Sequence, residues 1–250
     1  MEEGVIRCRL DLLLTIEDAT TGKSIMDRGI RFRIGDDFVN AHSRGEGNYI
    51  FLNIGRENRL MHIDVPGYES RTLDVNYEML DPVMPALDVF LIPSENSKTG
   101  EPVLSLKGKL SGLETVEAVH PGRSVSVFRE YDAKKRTMTL LQAGRRADYS
   151  KDRYALLNVE KGVFELLEIA EVISEKKLRL RKPLEQESPP NSPICRIIYG
   201  QVEQDGSYIL RVRDDGAELK YLVKYVIHGK TGYKFIDFHD LSEAKLDEVT

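Results

Sequence analysis

Tryptophan is absent from the 250 residues, and cysteine occurs only at Cys8 and Cys195. The flat, amphipathic indole is the usual contact of sugar-binding sandwiches and of membrane-interface belts, so its absence weighs against both. Two cysteines this far apart form no disulfide framework. Cys8 falls in a strand-like pattern and Cys195 in an apolar run with Ile194, Ile197 and Ile198, which predicts buried free thiols. No apolar run approaches the roughly 20 residues of a spanning helix. The acidic Met1-Glu2-Glu3 and the short run Leu12–Leu14 do not make a signal peptide, and no asparagine begins a glycosylation sequon, so the expected compartment is the cytoplasm.

Catalytic spacings are missing as well. Gly22-Lys23-Ser24 matches only the end of a phosphate-binding loop, because Glu17 stands where the first glycine belongs. There is no G-x-S-x-G elbow. His42, His62, His120, His228 and His239 form no H-x-H, H-x-x-x-H or C-x-x-C arrangement, and Asp36-Asp37 and Asp214-Asp215 read as turn residues rather than calcium loops. No cofactor or metal is expected. A net charge of −5 gives no overall attraction to nucleic acid.

What the chain does contain is alternation. With 41% hydrophobic and 31% charged residues it has the balance of a soluble globular protein. In Gly47-Asn48-Tyr49-Ile50-Phe51-Leu52, a turn admitting positive φ leads into a strand with Tyr49 and Phe51 on one face and Ile50 and Leu52 on the other. Leu60–Val65 alternates likewise and stops at Pro66-Gly67-Tyr68. Asp18-Ala19-Thr20-Thr21-Gly22 separates a strand over residues 5–16 from one over 30–34, and Gly35-Asp36 turns the latter into residues 37–40. Asn76–Asp81 reads as one helical turn stopped by Pro82, and Leu87–Ile92 as a closing strand.

Residues 94–103 are polar, turn-rich and without periodicity, the natural linker. Beyond them, Ser124–Arg129, Thr137–Leu141, a hairpin of Tyr154–Val159 with Val163–Ile169, Leu178–Arg181, Ile194–Val202, Ser207–Val212, Leu219–Ile227 and Tyr233–Phe238 all read as strands. Asp205-Gly206-Ser207-Tyr208-Ile209-Leu210 echoes the Gly47 motif. The expected class is all-β: a β-sandwich over residues 1–93, a linker over 94–103, a second β-rich barrel or sandwich over 104–240 and an acidic tail over 241–250.

The series D-x-x-T-G, G-x-Y-x-F and P-G-Y resembles the transthyretin-like and carboxypeptidase-regulatory-like β-sandwich, whose modules bind, brace or display. Two enzyme families share that likeness. The histidine pair of the intradiol dioxygenases and the terminal signature of the hydroxyisourate hydrolases are both missing, so neither activity carries over. More loosely, Phe164–Ile169, Leu178-x-Leu180-x-x-Pro183-Leu184 and Pro193–Arg196 resemble a β-barrel module of phage-tail-like particles, which implies protein–protein contact in an assembly.

The leading expectation is thus a non-catalytic protein working through contacts with other proteins in a larger assembly, with the loop tips Ala41–Glu46 and Gln186–Pro193 reaching the partner. The basic cluster Lys134, Lys135, Arg136, Arg145, Arg146, Lys151 and Arg153 lies around Tyr131, Tyr149 and Tyr154, and is either a patch for phosphate-bearing polymers or a charged hairpin rim. Candidate interaction residues are Arg145, Arg146, Tyr149, Tyr154, Tyr49 and Tyr68. Tyr49, Tyr68, Tyr131 and Tyr149 would be the stacking groups of an alternative carbohydrate- or peptide-binding module. A third expectation is a hydrolase drawing on Glu165, Glu168 and Glu171, with Glu165 and Glu171 on one face if that strand is unbroken.

Overall fold

The protein is described by a computed structural model covering residues 9–27, 29–95, 103–142, 149, 153–214, 218–241 and 245–246. It is all-β: among the described residues the one helical element is a single 3-10 turn, Tyr77–Met79. The chain divides into two compact units, Met1–Gly100 and Glu101–Thr250.

The first unit is a sandwich of two four-stranded sheets. One contains β1 (Leu10–Asp18), β4 (His42–Ser43), β5 (Asn48–Leu52) and β8 (Ala86–Leu91), in the order β4-β5-β1-β8. The other contains β2 (Arg31–Ile34), β3 (Asp37–Val39), β6 (Arg59–Asp64) and β7 (Arg71–Val75), in the order β3-β2-β6-β7. All pairings are antiparallel except β1 with β8. The period of two sends Leu12, Leu14, Ile16, Tyr49 and Phe51 inward from one sheet to meet Phe32, Met61, Ile63 and Val75 from the other. Phe32 joins the layers, its ring edge-on to Phe51 at 4.9 Å and tilted against Tyr49 at 5.4 Å.

The turn motifs are bonded to one another. Asp18 Oδ1 accepts from Thr20 N (2.8 Å), Thr20 Oγ1 (2.7 Å) and Thr21 N (2.9 Å), while its Oδ2 accepts from the Tyr68 hydroxyl at 3.1 Å. The D-x-x-T-G turn and the P-G-Y turn are thereby one structure. The strand predicted from residue 5 is described from Leu10, and Cys8 lies outside the described residues.

In the second unit the organising element is β10 (Leu113–Asp132), twenty residues long. Only its last part was legible as a strand, because Pro121-Gly122 interrupts the pattern. Its first part pairs with β19 (Lys220–Ile227), its middle with β16 (Pro193–Tyr199) and its end with β11 (Thr137–Gln142). The sheet continues outward through β12 (Tyr154–Asn158) and β13 (Val163–Leu166) on one side and through β15 (Lys177–Leu180) and β14 (Ile169–Ser174) on the other, while β20 (Lys230–Asp237) pairs with β19. A smaller sheet orders β17 (Gln201–Val202), β18 (Ser207–Arg213) and β9 (Val103–Lys109).

One expectation needs correction. Val163–Ile169 is not one strand: Leu167 is buried and its N–H bonds Tyr154 O at 2.8 Å, so the chain jogs there and β14 pairs with β15 instead of following β13. Near the end of the described residues, Leu246 is buried in the same core as Phe238 and Tyr221, and Lys245 O accepts from Lys234 Nζ at 2.7 Å.

Gly47 shows why its turn admits no other residue: at φ +73° an added Cβ would stand 2.5 Å from Ile16 O, a carbonyl already bonded to Ile25 N. Gly47→Ala should therefore cost about 2 kcal/mol in urea unfolding followed by circular dichroism. At the sandwich end, Asp11 is fully buried and accepts from Arg9 Nε (2.6 Å) and Gly55 N (3.0 Å), with Arg56 at 3.5 Å. Burial alone would raise its pKa, but these partners outweigh it and hold the carboxyl below 3.8. Its stabilisation is complete above 3.8 and is lost as pH falls through the folded-state value. Asp11→Asn should cost about 2 kcal/mol at neutral pH, and the gap to the parent should shrink as unfolding is repeated at progressively lower pH.

Candidate functional site

Two concavities have contrasting chemistry. In the second unit a cleft of about 320 Å³ lies between the β13–β14 jog, the loop after β15 and the strands β19 and β20, lined by Glu165, Glu168, Lys182, Glu185, Lys224 and Tyr233 among others. Its polar groups are largely engaged with one another. Glu165 accepts from Glu185 N (2.7 Å) and Gln186 N (3.1 Å), Lys182 pairs with Glu168 at 2.5 Å, and the Tyr233 hydroxyl donates to Phe164 O at 3.0 Å. Beneath them Lys224 faces Glu117 at 3.6 Å. Burial raises the pKa of Glu117 against the pull of Lys224, and raises that of Glu165 against the two N–H groups it accepts from.

The three carboxylates predicted as an acid–base set are not brought together. Glu165 and Glu168 line this cleft, but the break after β13 carries Glu171 onto β14, where it pairs with Arg179 at 2.7 Å. Glu165 and Glu168 serve instead to tie down the segment Lys182–Gln186, one neutralising its lysine and the other capping its backbone.

In the first unit a groove of about 420 Å³ opens where the short edge strands β3 and β4 leave the sandwich uncovered. Its floor is Phe32 and Tyr49, and its walls are Ile30, Val39, Met26 and Phe38. Phe38 is 66% exposed and Met26 63% exposed, large apolar side chains beside a groove of mixed polar and apolar lining. Asp27, Arg31, Asn40 and Ser43 supply a polar rim, with Asp27 Oδ1 accepting from Gly29 N at 2.6 Å.

The tyrosines predicted to stack on a ligand are mostly core. Tyr49 is buried and donates to Ile25 O at 3.1 Å. Tyr149 and Tyr154 are buried with ring centroids 4.8 Å apart, and the Tyr149 hydroxyl is bonded to Ser126 Oγ. Tyr68 is half-buried and spends its hydroxyl on Asp18. Tyr131 accepts from Leu184 N at 3.4 Å. Alternation placed these rings on inward faces, where a phenol needs only one polar partner.

Arg145 and Arg146 lie outside the described residues, as does Lys151. Of the rest of that basic cluster, Lys135 pairs with Asp132 at 3.8 Å and Arg136 donates to Arg181 O at 2.7 Å, which makes them turn residues of the β10–β11 hairpin. Cys195 is buried and its thiol is pushed up to about 12, which leaves it unreactive. Among the described residues no group of three His, Cys, Asp or Glu side chains is placed to hold a metal ion.

No family model, curated protein or solved structure matches the chain.

Sequence reasoning missed Phe38 and Met26. The available signal was a bulky aromatic in a three-residue strand between Asp36-Asp37 and Asn40, too short to show a periodicity. The borders of both concavities do include predicted loop tips: Ala41 and Ser43 line the groove, and Gln186 lines the cleft.

Glu165→Ala should release the Glu185 and Gln186 amides. Limited proteolysis within residues 182–192 should accelerate several-fold, while global stability falls by only about 1 kcal/mol.

Proposed function

We propose that this chain does no chemistry of its own and works by protein–protein contact, as a component of a larger assembly. Its first unit is read as a transthyretin-like sandwich that displays a binding edge, and its second as a barrel-like module of the kind found in phage-tail-like particles. The observation that carries the reading is the groove between β3 and β4. A rigid sandwich sets largely exposed Phe38 and Met26 along a groove of mixed polar and apolar lining that reaches down to Phe32 and Tyr49, the makings of an anchor site with a polar rim. The cleft in the second unit favours it further, because carboxylates and lysines that neutralise one another brace a surface loop rather than attack a substrate.

Phe38→Asp tests this reading. The substitution lies at an exposed position and should leave stability within about 0.5 kcal/mol. Native-level affinity capture followed by mass spectrometry should recover partners with the parent protein and lose them with the variant. Recovery of the same partners with both would overturn the groove as the binding edge.

A further inference from the structure

The sandwich that carries the groove also carries a projection on its opposite edge. Strands β3 and β4 end the two sheets on one side, and β7 and β8 end them on the other. The chain crosses that second edge through residues 76–85, where Met79 is 82% exposed, Val83 84% and Met84 56%. Three large apolar side chains within six residues are unusual on a surface, and the backbone beneath them is thoroughly bonded. Asn76 Oδ1 accepts from Glu78 N at 3.0 Å, and Asn58 Oδ1 accepts from Tyr77 N at 2.8 Å. Asp81 Oδ1 accepts from Val83 N (2.7 Å) and Met84 N (3.0 Å). Arg56 donates to Pro82 O and Leu10 O, and Pro85 O accepts from Leu13 N at 2.8 Å. A loop held this way pays little ordering cost when it docks.

We propose that the Met79–Met84 projection of one copy seats in the Phe38 groove of the next, so that copies of this chain associate head to tail. Chemistry and placement both support a second copy as the occupant. The projection bears apolar Met79, Val83 and Met84, with Glu78 before them and Asp81 among them, and the groove has a mixed polar and apolar lining with exposed Arg31 and Asp27 on its rim. The Met84 and Val83 amides hold the Asp81 carboxyl below its usual range, so it presents a negative charge to that arginine. The same acidic residues oppose insertion into anionic lipid. Because the two surfaces differ and lie on opposite edges, the contact is heterologous and propagates into a ring or a filament. This inference rests on the groove being a binding edge and names what binds it.

Light scattering on the purified full chain over a wide concentration range provides the test. The parent should grow beyond a dimer as concentration rises. Val83→Asp spoils the projection and Phe38→Asp spoils the groove, so each variant alone should lose all association. An equimolar mixture should form a dimer and stop there, since it offers one intact projection to one intact groove. A parent that stays monomeric, or a mixture that stays monomeric while circular dichroism shows both variants folded, would overturn the proposal. If the parent stays monomeric while Phe38→Asp still loses its captured partners, self-docking fails and the groove reading stands, the occupant then being a different protein.

Discussion

A β-sandwich has to deal with four strand edges, and in the first unit the way the chain crosses them decides what surface is left. The crossing from β3 to β4 is made by Asn40 and Ala41 alone, too short to cover the gap between the sheets, so Phe32 and Tyr49 become the floor of a groove. The crossing from β7 to β8 is longer and is pinned by Asn76, Asp81 and Arg56, so it stands out as an apolar projection. Both features follow from the need to give every backbone amide a partner at an edge that no further strand completes.

The second unit meets a related constraint inside its sheet. β10 must change neighbours on one side, from β19 to β11, while keeping β16 on the other. The exchange happens around Pro121, which has no N–H to give to a ladder. His120 secures the bend: its Nδ1 accepts from Gly122 N at 3.0 Å, which leaves Nε2 carrying the proton toward Glu218 O. Because β10 turns there, its residues feed separate cores. Val116 and Ala118 pack with Tyr221 and Leu210, Val119 with Leu157 and Cys195, and Phe128 with Met138 and Tyr154.

Polar and apolar groups divide unevenly between the two concavities. Glu165, Glu168 and Lys182 in the cleft meet an opposite charge or a backbone amide, which removes them from chemistry and gives them the work of fixing a loop. On the projection, the exposed apolar side chains sit on a backbone whose amides are held by Asn58, Asn76 and Asp81. Satisfied charge beside exposed carbon is the balance of a surface that binds by shape and dehydration.

Local chemistry determined a good deal of this protein before any tertiary contact. The period of two in Tyr49–Leu52 and Leu60–Val65 marks strands with one face inward, and Gly47 and Gly206 mark turns because only glycine tolerates their positive φ beside a neighbouring carbonyl. The helical turn after Asn76 and the buried state of Cys195 were legible for the same reason, each depending on a few adjacent residues. Tertiary structure decided the rest. Whether Tyr149 is a stacking platform or a core ring depends on which distant strands pack against it. Whether Glu171 joins Glu165 depends on a jog set by Leu167 packing against a distant strand. Whether Phe38 is covered depends on the length of a crossing that no periodicity records. Alternation tells a strand which side is inward, but exposure at an edge is set by which strand comes next in space, and that neighbour is chosen by the whole chain.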